Sequence, residues 1–233
     1  MRLLLAAVWI LLGAALTGGV YWGFLVTPES TIWTLMLSAV LAMVSLALTG
    51  FTANGAIAIL RNGLSLDGVR RAIRAIPGVI PAALIVLLLW WIAGRAEASV
   101  SLRSGQISAW FIARFGWDDM TWLFTAVRYL AQWLRWVIAS LLALSLLAGI
   151  VAIGWRSITQ FAWLRRALHP RAVIVATIMF AILIAIPWTY LVPWRPQGLP
   201  ASSVEFVFIA AKLSLTAILF ALGATLITRE ASR

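Results

Sequence analysis

The sequence predicts an all-α, polytopic membrane protein of six spans, and three observations carry that prediction. The first is composition: 64% of the 233 residues are hydrophobic and 11% are charged. A soluble domain holds about 45–50% apolar and about 25% charged residues, so this chain cannot cover a water-facing exterior. The second is continuity. The apolar residues run on over about 20 positions without the two-residue alternation of a barrel strand, and of the two structures lipid allows, this selects helices.

The third observation is where the basic residues fall. Arg61 is followed nine residues later by Arg70-Arg71-Ala72-Ile73-Arg74, and Arg156 nine residues later by Arg165-Arg166-Ala167-Leu168-His169. The two sets share an offset of 95 residues, and Pro77 and Pro170 follow them. Each set lies between apolar segments. The pattern reads as a repeated helix, basic surface helix, helix unit within a single membrane domain.

The first span is expected at 3–26. Arg2 ahead of it also suits a secretory signal, but the segment is too long for a signal's apolar core and no A-x-A site follows. Ala14, Ala15, Gly18 and Gly19 form small-xxx-small pairs that let another helix approach closely. Pro28 and Glu29 mark a turn. The second span, 32–60, exceeds what a ~30 Å hydrocarbon core needs at 1.5 Å per residue, so it tilts or bends near Gly50, Asn54 and Gly55. Thr49, Thr52 and Asn54 are either ligand contacts or, more ordinarily, hydrogen-bond partners for a neighbouring helix.

Asn62-Gly63 signals a turn and Ser65 a helix cap. A surface helix is expected over 65–76. Leu66, Val69, Ile73 and Ile76 give it one face, and Arg70, Arg71 and Arg74 another, which suits the headgroup boundary. The third span, 77–94, ends in an aromatic belt at Trp90 and Trp91. The stretch 105–127 carries Trp110, Phe111, Phe115, Trp117 and Trp122, too many aromatics to float in water, so it is expected to lie in the opposite interface. Asp118 or Asp119 caps the next helix.

The fourth span, 129–154, has Arg128, Gln132 and Arg135 on one face. Ser157 and Gln160 fit a capping box for the second surface helix, 157–169, with Ile158, Phe161 and Leu168 on its apolar side. The fifth span, 172–192, ends at Trp188, Tyr190 and Trp194. Pro193, Pro196, Gly198 and Pro200 make a rigid turn before the sixth span, 204–228.

Orientation follows from charge. The side holding Arg2, both basic bends and the C-terminal tail has eleven arginines against Asp67 and Glu230, a net +9. The other side has five arginines against five acids, a net of zero. The Lys/Arg excess puts both termini in the cytoplasm of a cell inner membrane, and spans two–three and four–five then repeat with the same sense. That bias also explains the net charge of +11 without nucleic acid. The preference for Arg over Lys hints at a bacterium. In layout alone the chain resembles several families of small bacterial six-span membrane proteins; no diagnostic motif matches.

Three constellations bear on function. Arg135 and Lys212 lie inside spans, where an ionisable group is a functional hypothesis by default. Either both snorkel outward, or they line an outward-facing vestibule with Arg128, Gln132 and Glu205, suited to an anion or lipid headgroup. The bends present Arg61, Arg70, Arg71, Arg74, Arg156, Arg165, Arg166 and Arg171. These serve as topology signals, or as contacts for anionic phospholipid or an acidic partner. His169, or Asp118, Asp119 and Glu97, are weak metal candidates, because tight sites need several convergent ligands. With no cysteine there is no disulfide or thiolate site, and one histidine excludes bis-His haem within one chain. No nucleophile elbow, zincin or Walker motif occurs, and no cofactor is expected. The reading is a non-enzymatic accessory or structural subunit of a membrane complex, packing through helix faces and anionic-lipid contacts. A transporter or channel component and a lipid-handling enzyme are the alternatives.

Overall fold

The computed structural model describes residues 1–28, 30–116, 119–194 and 203–233, with the backbone alone at 203. Glu29, Trp117, Asp118, Arg195 and the expected turn at Pro196, Gly198 and Pro200 lie outside the described residues. Among those described the fold is all-helical, and six helices are long and apolar enough to cross a membrane.

In chain order these are α1 (Arg2–Val26), α2 (Ile32–Asn62), the short α3 (Leu66–Arg74), α4 (Val79–Leu102) after a tight turn at Ile76–Gly78, and α5 (Ser104–Phe115). There follow α6 (Thr121–Ile153), the short α7 (Arg156–Gln160) and α8 (Ala162–Ala167), α9 (Pro170–Leu191) and α10 (Ser203–Ser232). The spans are α1, α2, α4, α6, α9 and α10.

Helix ends explain where the segments depart from expectation. The third span does not stop at 94. Nothing in Arg95-Ala96-Glu97-Ala98 breaks a helix, so α4 carries on to Leu102. The fourth span begins at Thr121, where the Asp119 carboxylate accepts the Thr121 N–H at 2.8 Å. The 105–127 stretch is therefore α5 plus the first turns of α6. Thr31 opens α2 with a reciprocal cap, its hydroxyl accepting from the Thr34 N–H and the Thr34 hydroxyl from its own N–H.

The second basic helix is two pieces, because Phe161 takes a left-handed conformation at φ 50°. The capping box expected at Ser157 and Gln160 does not form. Ser157 sits inside α7 with its hydroxyl buried and unpartnered, packed against Gly149 of α6. In the first bend the surface that packs inward is Gly68, Ala72 and Ala75, small enough to lie on α2, where Asn54 donates to the Ala72 carbonyl at 3.4 Å. Leu66 and Ile73 stay exposed beside the arginines.

The core is organised around α6. Of its most apolar stretch 67% is buried inside the protein, against 11–22% for the other five spans, so α6 is the hub, with α2, α4, α9 and α10 packed on it. Leu146, Leu147 and Ile150 pack with Ile57 of α2 and with Val79 and Ala82 of α4. Val137, Leu141 and Leu142 pack with Ala176 of α9 and with Ile227 and Ala231 of α10. Span α1 lies outermost, on α2 and α10. It meets α2 through Gly13 against Thr52, and through Trp9, whose indole crosses Gly55 and donates to the Thr52 carbonyl at 3.1 Å. The small pairs expected to pack are not used here: Gly18 and Gly19 have nothing within 4 Å of where a Cβ would stand, and Ala14 and Ala15 are exposed.

Candidate functional site

The arginines of both bends converge on one end of α6. Gly63, at φ 78°, ends α2 and turns the chain, leaving Arg61 in the last turn. The Arg61 guanidinium donates to the Ala148 carbonyl of α6 at 3.3 Å, and Arg2 donates to the Arg61 carbonyl at 3.0 Å. From the second bend, Ala167 is fully buried among side chains of α6 and α10 and anchors α8. The half-buried Arg166 then lies over Gly149, and its Nε donates to the Ala162 carbonyl at 3.5 Å. Burial, and secondly the charge of Arg61, lower the proton affinity of Arg166 below the ordinary arginine value. A guanidinium does not release its proton in a protein, so Arg166 keeps its charge there.

Beside this cluster lies a cavity of about 550 Å³, lined by Arg165, Arg166, His169, Arg171, Glu230 and Arg233 with Ala162 and Ala172. Its size falls within the ~300–1,000 Å³ range of small-molecule sites. Three elements build it. Arg165 and Arg166 come from the last turn of α8. His169 and Arg171 flank Pro170, whose fixed φ opens α9. The end of α10 is pinned to the hub by Ser145, whose hydroxyl donates to the Ala231 carbonyl at 3.1 Å. That holds Glu230 in place, where it pairs with Arg233 at 2.6 Å and more loosely with Arg171 at 3.9 Å. Four guanidinium groups thus face one carboxylate. A second recess, by Trp9, Gly55 and Ser65, has a volume of only about 10 Å³, less than a ligand needs.

No protein-family model, no curated protein sequence and no solved structure matches this chain.

The residues expected to form an outer vestibule are engaged separately. The Arg135 Nη2 pairs with Glu97 of α4 at 3.0 Å, and the Arg135 carbonyl accepts from the Trp90 indole at 3.1 Å. Arg135 lies in a π-helical stretch, Leu134–Ile138, within α6. Gln132 accepts from the Trp136 indole at 3.0 Å, Arg128 is exposed, and Glu205 is half-buried in the first turn of α10. Lys212 is only 7% exposed and donates to the carbonyls of Val192 at 2.6 Å and Trp194 at 3.0 Å, with the Phe208 ring 5.8 Å away. Its amine closes the end of α9.

Of the residues expected to contact lipid or a partner, Arg61, Arg165, Arg166 and Arg171 belong to this end cluster, where Arg166 alone of the four is half-buried; Arg70, Arg71, Arg74 and Arg156 are exposed on the bends. No sequence signal marks Glu230 or Arg233 as a site residue, and Glu97 stands out only as a weak metal candidate. Among the described residues no three His, Asp or Glu side chains come together to hold a metal. Asp119 lies outside the span and caps Thr121. Hydrogen bonds from the Thr121 side chain and then its backbone hold the Asp119 carboxyl below the ordinary range. The cavity is therefore equipped to hold and orient an oxyanion, because arginine forks match carboxylate and phosphate oxygens.

Proposed function

We propose that this chain is an accessory or structural subunit of a membrane complex, set in a cell inner membrane with both termini and both arginine bends on the cytoplasmic side. The observation that carries the reading is the small share, 11–22%, of the most apolar stretch of five spans that is buried within the chain. The rest of these stretches faces lipid or the spans of another chain. The remaining surface suits acyl chains and the spans of a partner, and the open Gly18 and Gly19 on α1 let a second helix approach closely. The bends add contact with anionic lipid. Their exposed arginines stand beside exposed Leu66, Ile73, Phe161 and Leu168, the pairing that a headgroup boundary favours. A transporter is the weaker reading, because Arg135 Nη2 pairs with Glu97 and the Lys212 amine with backbone carbonyls of the same chain, which leaves the buried Arg135 Nε as the one unpartnered donor among these contacts.

The test is capture of the tagged protein from native membranes in mild detergent. A membrane protein partner in fixed stoichiometry, together with enriched anionic phospholipid, is the expected result. Recovery of the chain alone, with lipid in bulk proportions, rejects the proposal.

A further inference from the structure

We propose that the cavity between α8, the start of α9 and the end of α10 is a specific site for a phosphate group. The proposal deepens the lipid-contact reading above and rests on it only for one source of that phosphate.

The argument starts from charge within the cavity. Glu230 is shared by Arg233, three residues on, and Arg171 of α9. Among the described residues no carboxylate pairs with Arg165 or Arg166. Arg166 reaches only a carbonyl of its own turn. It also stands close enough to Arg61 for the two charges to repel, in a place where burial weakens screening by water. A bundle end that gathers guanidinium groups against their repulsion is stabilised by an anion among them.

Shape and position narrow the anion. A volume of about 550 Å³ holds more than an inorganic ion and accommodates a phosphate ester with its substituents. Guanidinium forks bind two phosphate oxygens at once, so Arg165 and Arg166 on one wall and Arg171 on the other surround a tetrahedral group. The walls are the last turn of a surface helix, the first turn of one span and the last turn of another. The cavity therefore opens where one span begins and another ends, so a lipid headgroup is one source of the phosphate. An anionic phospholipid headgroup and a soluble phosphate ester share this chemistry, and the experiment separates them.

The purified full chain is placed in nanodiscs of phosphatidylcholine alone, or of phosphatidylcholine with phosphatidylglycerol. Bound lipid is counted by native mass spectrometry and the melting temperature is recorded. In the neutral nanodiscs, inorganic phosphate is titrated against chloride at constant ionic strength. Either retained phosphatidylglycerol or a saturable stabilisation by phosphate is expected, the first identifying a headgroup and the second a soluble ligand. Arg165→Gln with Arg166→Gln weakens that binding about tenfold, as the loss of charge-assisted hydrogen bonds implies. Arg70→Gln with Arg71→Gln, outside the cavity, leaves it unchanged. If the double variant fails to fold, Arg165→Gln alone carries the test, since that side chain is exposed. No response to either ligand overturns the site. So does an equal loss from both arginine pairs, which leaves only diffuse attraction to an anionic surface. Neither result bears on whether a protein partner co-purifies.

Discussion

Lys212 illustrates how a cation is kept inside a span at the scale of one residue. Its ammonium donates to the carbonyls of Val192 and Trp194, just beyond the end of α9. Lys212→Met keeps the length of the side chain and removes the donor. The carbonyls of Val192 and Trp194 then lose this charged donor, at a cost of about 1.5–3 kcal/mol, the usual worth of a hydrogen bond to a charged group. The expected outcome is a lower unfolding midpoint in detergent. An unchanged midpoint means the amine is not holding the end of α9. At this scale the sequence points to the right residues and conceals their partners. Lys212 and Arg135 stand out in any apolar run, but a backbone carbonyl has no letter of its own. Glu97 belongs to a loop in any reading that ends the third span at Trp90-Trp91 and Gly94.

Elements tell a different story, because their existence is legible and their ends are not. Apolar runs mark six spans, and arginine runs mark two bends. Yet the helical register of Ala96 to Ala98 carries α4 past its aromatic belt, and Phe161 divides the second bend. A left-handed non-glycine residue costs about 1–2 kcal/mol, and sequence statistics have no reason to place it there. With that break Ser157 comes to rest on Gly149 while Ala167 packs among the side chains of α6 and α10. Gly149 is the contact that seats the bend: a Cβ there falls on the Ser157 side chain and stands 3.4 Å from Arg166 Nη2. Gly149→Val is expected to destabilise the protein by about 1–3 kcal/mol through overpacking, and to weaken phosphate retention by displacing Arg166. Gly19→Val is the matched control. Nothing lies within 4 Å of it, so melting of the isolated chain holds, and any loss appears only as a lost partner.

For the whole molecule, the property hardest to read in advance is which span is central. All six are similarly apolar, and lipid tails are as apolar as a protein interior, so hydropathy does not distinguish a hub from a rim. Charge distribution is legible where hydropathy is not, since Lys and Arg are held on the cytoplasmic side during insertion. The meeting of Arg61 and Arg166 at one end of α6 requires both bends to share a side, whichever side that is. The absence of cysteine makes the question clean to ask. Single cysteines at Arg70 and Arg165 should both react with a membrane-impermeant maleimide only in inverted vesicles. A cysteine at Ala109, exposed on α5 beyond the far end of α4, should react in intact spheroplasts. Labelling of the Arg70 and Arg165 positions from opposite sides dismantles the fold, because the contact of Arg61 with the Ala148 carbonyl cannot then exist. Labelling of both from outside keeps the fold and the cavity, but inverts the leaflet from which a phosphate would come.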